Sequence, residues 1–162
     1  MSTFFRNTKI LVTGHTGFKG TWLVRCLRLQ GANVCGISFD PSTPRPLHEL
    51  LKQDLGMQDD IQCDLRDACA IKQHVRSLAP SIVFHLAAQP LVRRSYQNPL
   101  ETLETNVLGT ANLLEACRLA DSVKVIVVIT TDKCYENREW AHSYRECDPL
   151  GGHDPYSASK AC

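Results

Sequence analysis

The sequence predicts an α/β fold built as a doubly wound parallel sheet. Three observations predict it. Short runs rich in Val and Ile alternate with amphipathic helical segments along the chain. Those runs are apolar throughout, as the strands of a parallel sheet are when helices cover both faces. A glycine-rich turn, Gly14-His15-Thr16-Gly17-Phe18-Lys19-Gly20, joins the first run to the first helix, the place where dinucleotide-binding sheets carry their phosphate turn. At 162 residues, 43% hydrophobic and 22% charged, the chain suffices for one domain with a substantial core.

Each element has its own signal. Residues 9–13, Lys-Ile-Leu-Val-Thr, read as a buried strand. The helix after the glycine turn runs to Gln30, where Gly31 stops it, with Leu23, Cys26, Leu27 and Leu29 in its apolar stripe. Residues 33–39 form a second strand ending at Asp40, and the three prolines in residues 41–46 require a loop. A short third strand covers residues 61–63. Asp67 then caps a helix that places Ile71, Val75 and Leu78 on one face. Residues 81–86 give a fourth strand. Asn98 as N-cap, Pro99 at the first position and Glu101 at the third open a long helix to residue 119, with Leu100, Leu103, Val107, Ala111 and Leu114 as its stripe. Residues 123–129 make a fifth strand, apolar enough to be buried on both faces. Asp154-Pro155 starts a last helix.

Composition excludes several classes. A formal net charge of +1 gives no basis for nucleic acid or an anionic membrane as partner. No stretch of about 18 apolar residues is present to span a bilayer, and residues 1–9 lack a secretory apolar region, which together indicate a cytoplasmic protein. The eight cysteines contain no Cys-x-x-Cys and no zinc-finger spacing. They read as free thiols of a reducing compartment, with Cys26, Cys35 and Cys117 inside apolar patterns, and no metal site is expected.

The chemistry-bearing residues fall at strand ends. Gly14, Gly17 and Gly20 let backbone amides approach a pyrophosphate seated on the helix N-terminus, beside Thr16, Phe18 and Lys19. Asp40, twenty residues beyond Gly20, is placed to hydrogen-bond the adenosine ribose and favours NAD over NADP. Arg45 nearby could accommodate a 2′-phosphate, so NADP stays open. Asp64-Leu65 follows the third strand, positioned to contact adenine. The small residues Ala87-Ala88, with Gln89, leave room for a cofactor after the fourth strand, where His85 reads as structural. Thr131-Asp132-Lys133 ends the fifth strand and offers a hydroxyl, a carboxylate and an amine on the ligand side of the sheet. Tyr156 and Lys160, four apart, share a helix face, where an ammonium beside a phenol lowers its pKa from about 10 and suits it to proton transfer.

These pieces in this order resemble the extended short-chain dehydrogenase/reductase (NAD-dependent epimerase/dehydratase) family, in its nucleotide-sugar branch. The resemblance implies a Rossmann-type domain over residues 1–162, NAD as cofactor, Asn106 of the long helix among the cofactor-binding residues, and catalysis by Thr131, Asp132, Lys133, Tyr156 and Lys160. The segments 14–20, 88–96, 131–137 and 148–156 are similar to those of the branch's 4,6-dehydratases that act on CDP-glucose, with Lys133 where other dehydratases tend to carry Glu. For such an enzyme the resemblance implies that Tyr156 takes the proton of the sugar 4-hydroxyl, which Thr131 hydrogen-bonds, that Lys160 holds the nicotinamide ribose, that Lys133 removes the C5 proton, and that Asp132 helps the 6-hydroxyl leave. As a base, Lys133 needs burial or a cationic neighbour such as Lys160. The family's proteins are longer, so the chain reads as an N-terminal piece, inactive alone, whose substrate domain lies outside it; the intact protein is expected to be a homodimer. Another epimerase or dehydratase of the branch, or a non-catalytic NAD-binding module, remain the alternative readings.

Overall fold

The computed structural model describes residues 4–39 and 46–162; Asp40, Arg45 and the rest of the proline-rich loop before Pro46 lie outside the described residues. Among the described residues, five strands make one parallel sheet: β1 (Lys9–Thr13), β2 (Asn33–Ser38), β3 (Asp59–Gln62), β4 (Ile82–His85) and β5 (Val125–Val128), in the spatial order β3-β2-β1-β4-β5. The order runs outward from β1 in both directions. The carboxyl ends of β1 and β4 are therefore the switch point at which an open α/β sheet forms its ligand crevice. Thr13 and His85 stand opposite each other there.

Side-chain alternation feeds two cores. On one face Leu11, Cys35, Ile37 and Val83 pack under α3 (Ala68–Leu78), which contributes Ile71, Val75 and Leu78, and under Leu113, Ala116 and Cys117 of the long helix. On the other, Ile10, Val12 and Val34 meet Val24 and Leu27 of α1 (Phe18–Leu29) and Leu55 of α2 (Pro46–Leu55). α3 begins as predicted, with the Asp67 carboxylate accepting from the Ala70 amide at 2.9 Å. Among the described residues, no helix is long and apolar enough to cross a membrane.

Several expectations are corrected. α2 was hidden behind the prolines, and β3 starts two residues early on Asp59-Asp60 because pairing with β2, not apolar content, defines it. The buried face of α1 is Gly20, Thr21, Val24 and Leu27, whereas Cys26 and Leu29 are exposed. A further short helix, α4 (Val92–Gln97), precedes the long one. The latter consists of α5 (Pro99–Leu103), a π turn (Glu104–Leu108) and α6 (Gly109–Arg118), and the Asn98 side chain makes no capping hydrogen bond. Its buried face holds the small and polar Thr102, Asn106 and Gly109 ahead of Leu113, Ala116 and Cys117, while Leu100, Leu103 and Leu114 point outward. A Cβ at Gly109 would stand 3.0 Å from the Cβ of Leu65, so this helix sits too close to the β3–α3 loop for a leucine. β5 is not buried on both faces: Val125, Ile126, Val127 and Val128 keep 36–48% of their surface exposed, because β5 is the outermost strand of the described sheet.

Candidate active site

The glycine turn folds into a cradle at the switch point. Gly14 adopts φ +70°, and a Cβ there would lie 2.7 Å from the amide nitrogen of Ala87, so the turn passes directly over the end of β4. Its amide donates to the Ile37 carbonyl (2.8 Å), and that of Gly17 donates to the Gly14 carbonyl (3.1 Å). Gly17 is the N-cap of α1 and has no side chain with which to cap, which leaves the first-turn amides of a twelve-residue helix without a side-chain acceptor. Phe18 and Lys19 are exposed beside it, Gly20 packs against Gly14 and His15, and Thr16 is half-buried.

Residues after β3 and β4 close the cradle. Asp64 pairs with Arg66 at 2.6 Å; partial burial opposes its charge, but the Arg66 hydrogen bonds outweigh this and hold the carboxyl below its usual range. Leu65 is buried in the core. Ala87 and Ala88 are half-buried. Gln89 is buried and spends its amide on the Leu91 carbonyl (3.1 Å) and the Thr102 hydroxyl (2.9 Å). Asn106, in the π turn, accepts from the Gln89 amide (2.8 Å) and donates to the Gln89 carbonyl (3.1 Å) and the Ser159 hydroxyl (2.9 Å). Both of its N–H donors are thus committed within the protein, so its side chain braces the site.

His85 is structural, as expected. Thr110 donates to the Asn106 carbonyl (2.7 Å), so its oxygen accepts from His85 Nε2 (2.9 Å), and His85 Nδ1 is left to accept from the Thr13 hydroxyl (2.6 Å). Burial, reinforced by the Lys160 charge, pushes its pKa down to about 4 and keeps it neutral.

The catalytic candidates come together beyond the end of β5 and at α7 (Pro155–Ala161), which packs on the 3-10 turn Asp132–Cys134. Asp154 caps α7 as predicted, accepting from the Ser157 amide (2.9 Å) and hydroxyl (2.6 Å). Between them, residues 135–151 return along a path held by Glu136 N–H to Pro149 O and Gly151 N–H to Cys134 O, both 2.9 Å, and by Tyr135 stacked on Tyr144 at 5.2 Å. No periodic pattern in residues 135–151 signals this brace. One electrostatic expectation is corrected. Burial raises the Tyr156 pKa; the neighbouring Thr131 hydroxyl opposes this, and Asp154 and Asp132 add to the rise. Lys160 is itself pushed down by burial, so its ammonium is not the dominant influence on the phenol. Lys133 is exposed, and its charge acts on Asp154.

One group escaped the sequence reading. The imidazole of His15 is fully buried between Asp60 of β3 (2.8 Å) and Ser38 of β2 (3.1 Å), with the ring of His48 of α2 edge-on to it at 5.5 Å. The available signal was Gly36, a glycine inside a strand, which marks a close approach: a Cβ there would overlap the His15 ring.

The sequence profile described as GDP-mannose 4,6 dehydratase matches residues 11–162. The chain belongs to this family. The GDP-mannose 4,6 dehydratase family match is joined by 48% identity over 159 residues to CDP-glucose 4,6-dehydratase of Salmonella typhimurium strain LT2, covering 98% of this chain and 44% of that protein. Among solved structures, Pal from Bacillus thuringiensis superposes with a TM-score of 0.85 at 31% identity, over 95% of this chain and 49% of the other. The Thermus thermophilus UDP-glucose 4-epimerase complex with NAD gives 0.80 at 31% identity, over 95% and 48%. The chain therefore spans about half the length of the relatives it matches, and carries their parallel-sheet fold.

Proposed function

We propose that this chain is the dinucleotide-binding Rossmann domain, residues 1–162, of an NAD-dependent nucleotide-sugar 4,6-dehydratase whose substrate is CDP-glucose. The observation that carries the reading is the 48% identity to a CDP-glucose 4,6-dehydratase across nearly the whole chain, with Thr131-Asp132-Lys133 packed against the helix of Tyr156 and Lys160. NAD fits the cradle: Gly14 and Gly20 leave no room for side chains where the turn crosses β4 and α1, and the N-terminus of α1 faces the same opening. Gly14, Thr16, Gly17, Phe18, Lys19 and Gly20 would line the pyrophosphate, Asp64, Leu65, Ala87 and Ala88 the adenosine side, and Tyr156 and Lys160 the nicotinamide ribose.

Bound NAD supplies temporary storage for the hydride taken from the sugar and later returned to it. The chain's residues do the proton work. Tyr156 takes the proton of the sugar 4-hydroxyl, with the Thr131 hydroxyl on the same oxygen. Lys133 takes the C5 proton once C4 is a ketone, and Asp132 assists the departure of the 6-hydroxyl as water. In the free chain the Tyr156 phenol is held protonated by burial and by two carboxylates, and Lys133 is exposed; closure over substrate would supply the desolvation that a lysine base needs. Turnover accordingly belongs to the longer protein. A homodimer fits the outward leucines of the long helix, Leu100, Leu103, Leu108 and Leu114, exposed by 73%, 38%, 57% and 39%, which a second copy would cover. The deciding experiment is an assay of the full-length protein on CDP-glucose against UDP-, GDP- and dTDP-glucose. A 4-keto product from CDP-glucose alone is expected; an epimer without a 4-keto product would replace this reading with that of an epimerase.

A further inference from the structure

The glycine turn and the two strands beside it share one chain of polar hydrogens. The Asp60 carboxylate can only accept, so the proton on His15 Nε2 points at it across 2.8 Å. His15 Nδ1 faces the Ser38 hydroxyl at 3.1 Å, and Ser38 faces the Thr16 hydroxyl at 3.0 Å. With His15 neutral, Nδ1 needs a donor. Ser38 must then give its proton to the ring, and Thr16 must give its own to Ser38, leaving Thr16 with lone pairs alone to offer the mouth of the turn. With His15 protonated, every bond in the chain reverses: Nδ1 donates to Ser38, Ser38 donates to Thr16, and the Thr16 O–H is released. An anion in the turn needs a donor.

We propose that His15 is the positioning residue of the phosphate turn: through Ser38 it sets which way the Thr16 hydroxyl points, so that binding a dinucleotide pyrophosphate takes up a proton at His15. The inference rests on the reading of Gly14–Gly20 as an NAD cradle and adds the means by which the cradle is polarised. The site is built for this ring. Gly36 gives up its side chain to admit it, the Thr21 hydroxyl fixes its carbonyl at 3.1 Å, and Asp60 stands ready to compensate the added charge. The other titratable groups facing it among the described residues are His48 of α2, whose ring lies edge-on at 5.5 Å, and Lys52 of α2, 3.8 Å from the second oxygen of Asp60.

The test is calorimetric titration of the chain with NAD⁺ at several pH values, each in two buffers of different ionisation enthalpy, which counts protons taken up. Above the imidazole pKa, affinity should fall by up to about tenfold per pH unit, the slope of one bound proton, with uptake approaching one proton. Thr16→Val should bind more weakly with no uptake, because the relay ends on nothing. His15→Gln should do the same if it folds, and His48→Gln should retain the uptake. NAD⁺ binding with no proton uptake in the unmodified chain, or undiminished uptake in Thr16→Val, would overturn the relay and leave the cradle intact. Absence of NAD⁺ binding at every pH would overturn the cradle and the relay together.

Discussion

The amide of Asn106 donates to the hydroxyl of Ser159 at 2.9 Å, and through this contact the long helix holds the helix of Tyr156 and Lys160. Ser159 in turn donates to the Tyr156 carbonyl at 2.7 Å. Asn106 sits in a π turn, the local widening that commonly accompanies a functional residue in a helix. Replacing it by Ala would orphan the Gln89 amide and carbonyl as well as Ser159. Asn106→Ala is expected to cost about 1–3 kcal/mol, read from the urea midpoint, and to raise amide exchange in residues 155–161. Unchanged exchange there would show that α7 is held by other contacts.

Tyr156 and Lys133 separate two proton steps. In the full-length protein, Tyr156→Phe should bind NAD and fail to reduce it with substrate. Lys133→Met should still reduce bound NAD yet form no dehydrated product, with a loss on the order of 10²-fold or more. Rapid-scan absorbance of the reduced cofactor beside product analysis distinguishes the two. Normal dehydration by Lys133→Met would remove that residue from the mechanism.

His85 predicts an acid limb of stability. Its folded pKa of about 4 lies below the unfolded value of about 6.5. Between these values the unfolded chain binds the extra proton, so stability is lost as pH falls from about 6.5 to about 4 and levels off below. The full drop from this one group is about 3 kcal/mol. Denaturant midpoints across that window measure it, and His85→Gln should flatten the slope. A variant as pH-sensitive as the parent would assign the acid loss to other groups.

Asp154 tests how firmly α7 is seated. Asp154→Ala removes the cap to Ser157 and should cost about 1 kcal/mol, whereas Asp154→Asn, which keeps an acceptor oxygen, should cost less. Equal losses in the two would point to the charge and not the cap.

The sequence made the ligand side of the sheet legible because its signals there are local. A glycine that must take φ +70°, and caps at Asp67 and Asp154, are chemistry within a few residues. What it hid is set by distant packing. The long helix buries Thr102, Asn106 and Gly109 because it must pass close to Leu65 and Gln89, so the leucines that looked like its core stripe are turned out. The direction of the Tyr156 shift could not be read from the Lys160 spacing, because burial and two carboxylates, not the lysine, dominate at the phenol. His15 was visible as a letter in the turn; Ser38 and Asp60, which give it a role, lie 23 and 45 residues away.

The half-exposed valines of β5 have a practical meaning for anyone who purifies this chain. An apolar rim strand with an unpaired backbone edge is a template on which a second rim can assemble. Such pairing needs no specific side chain, so it grows with concentration and competes with any helix-mediated dimer. Light scattering of a dilution series, with a charged substitution such as Val127→Lys as the blocking control, separates stacking of sheets from orderly subunit pairing.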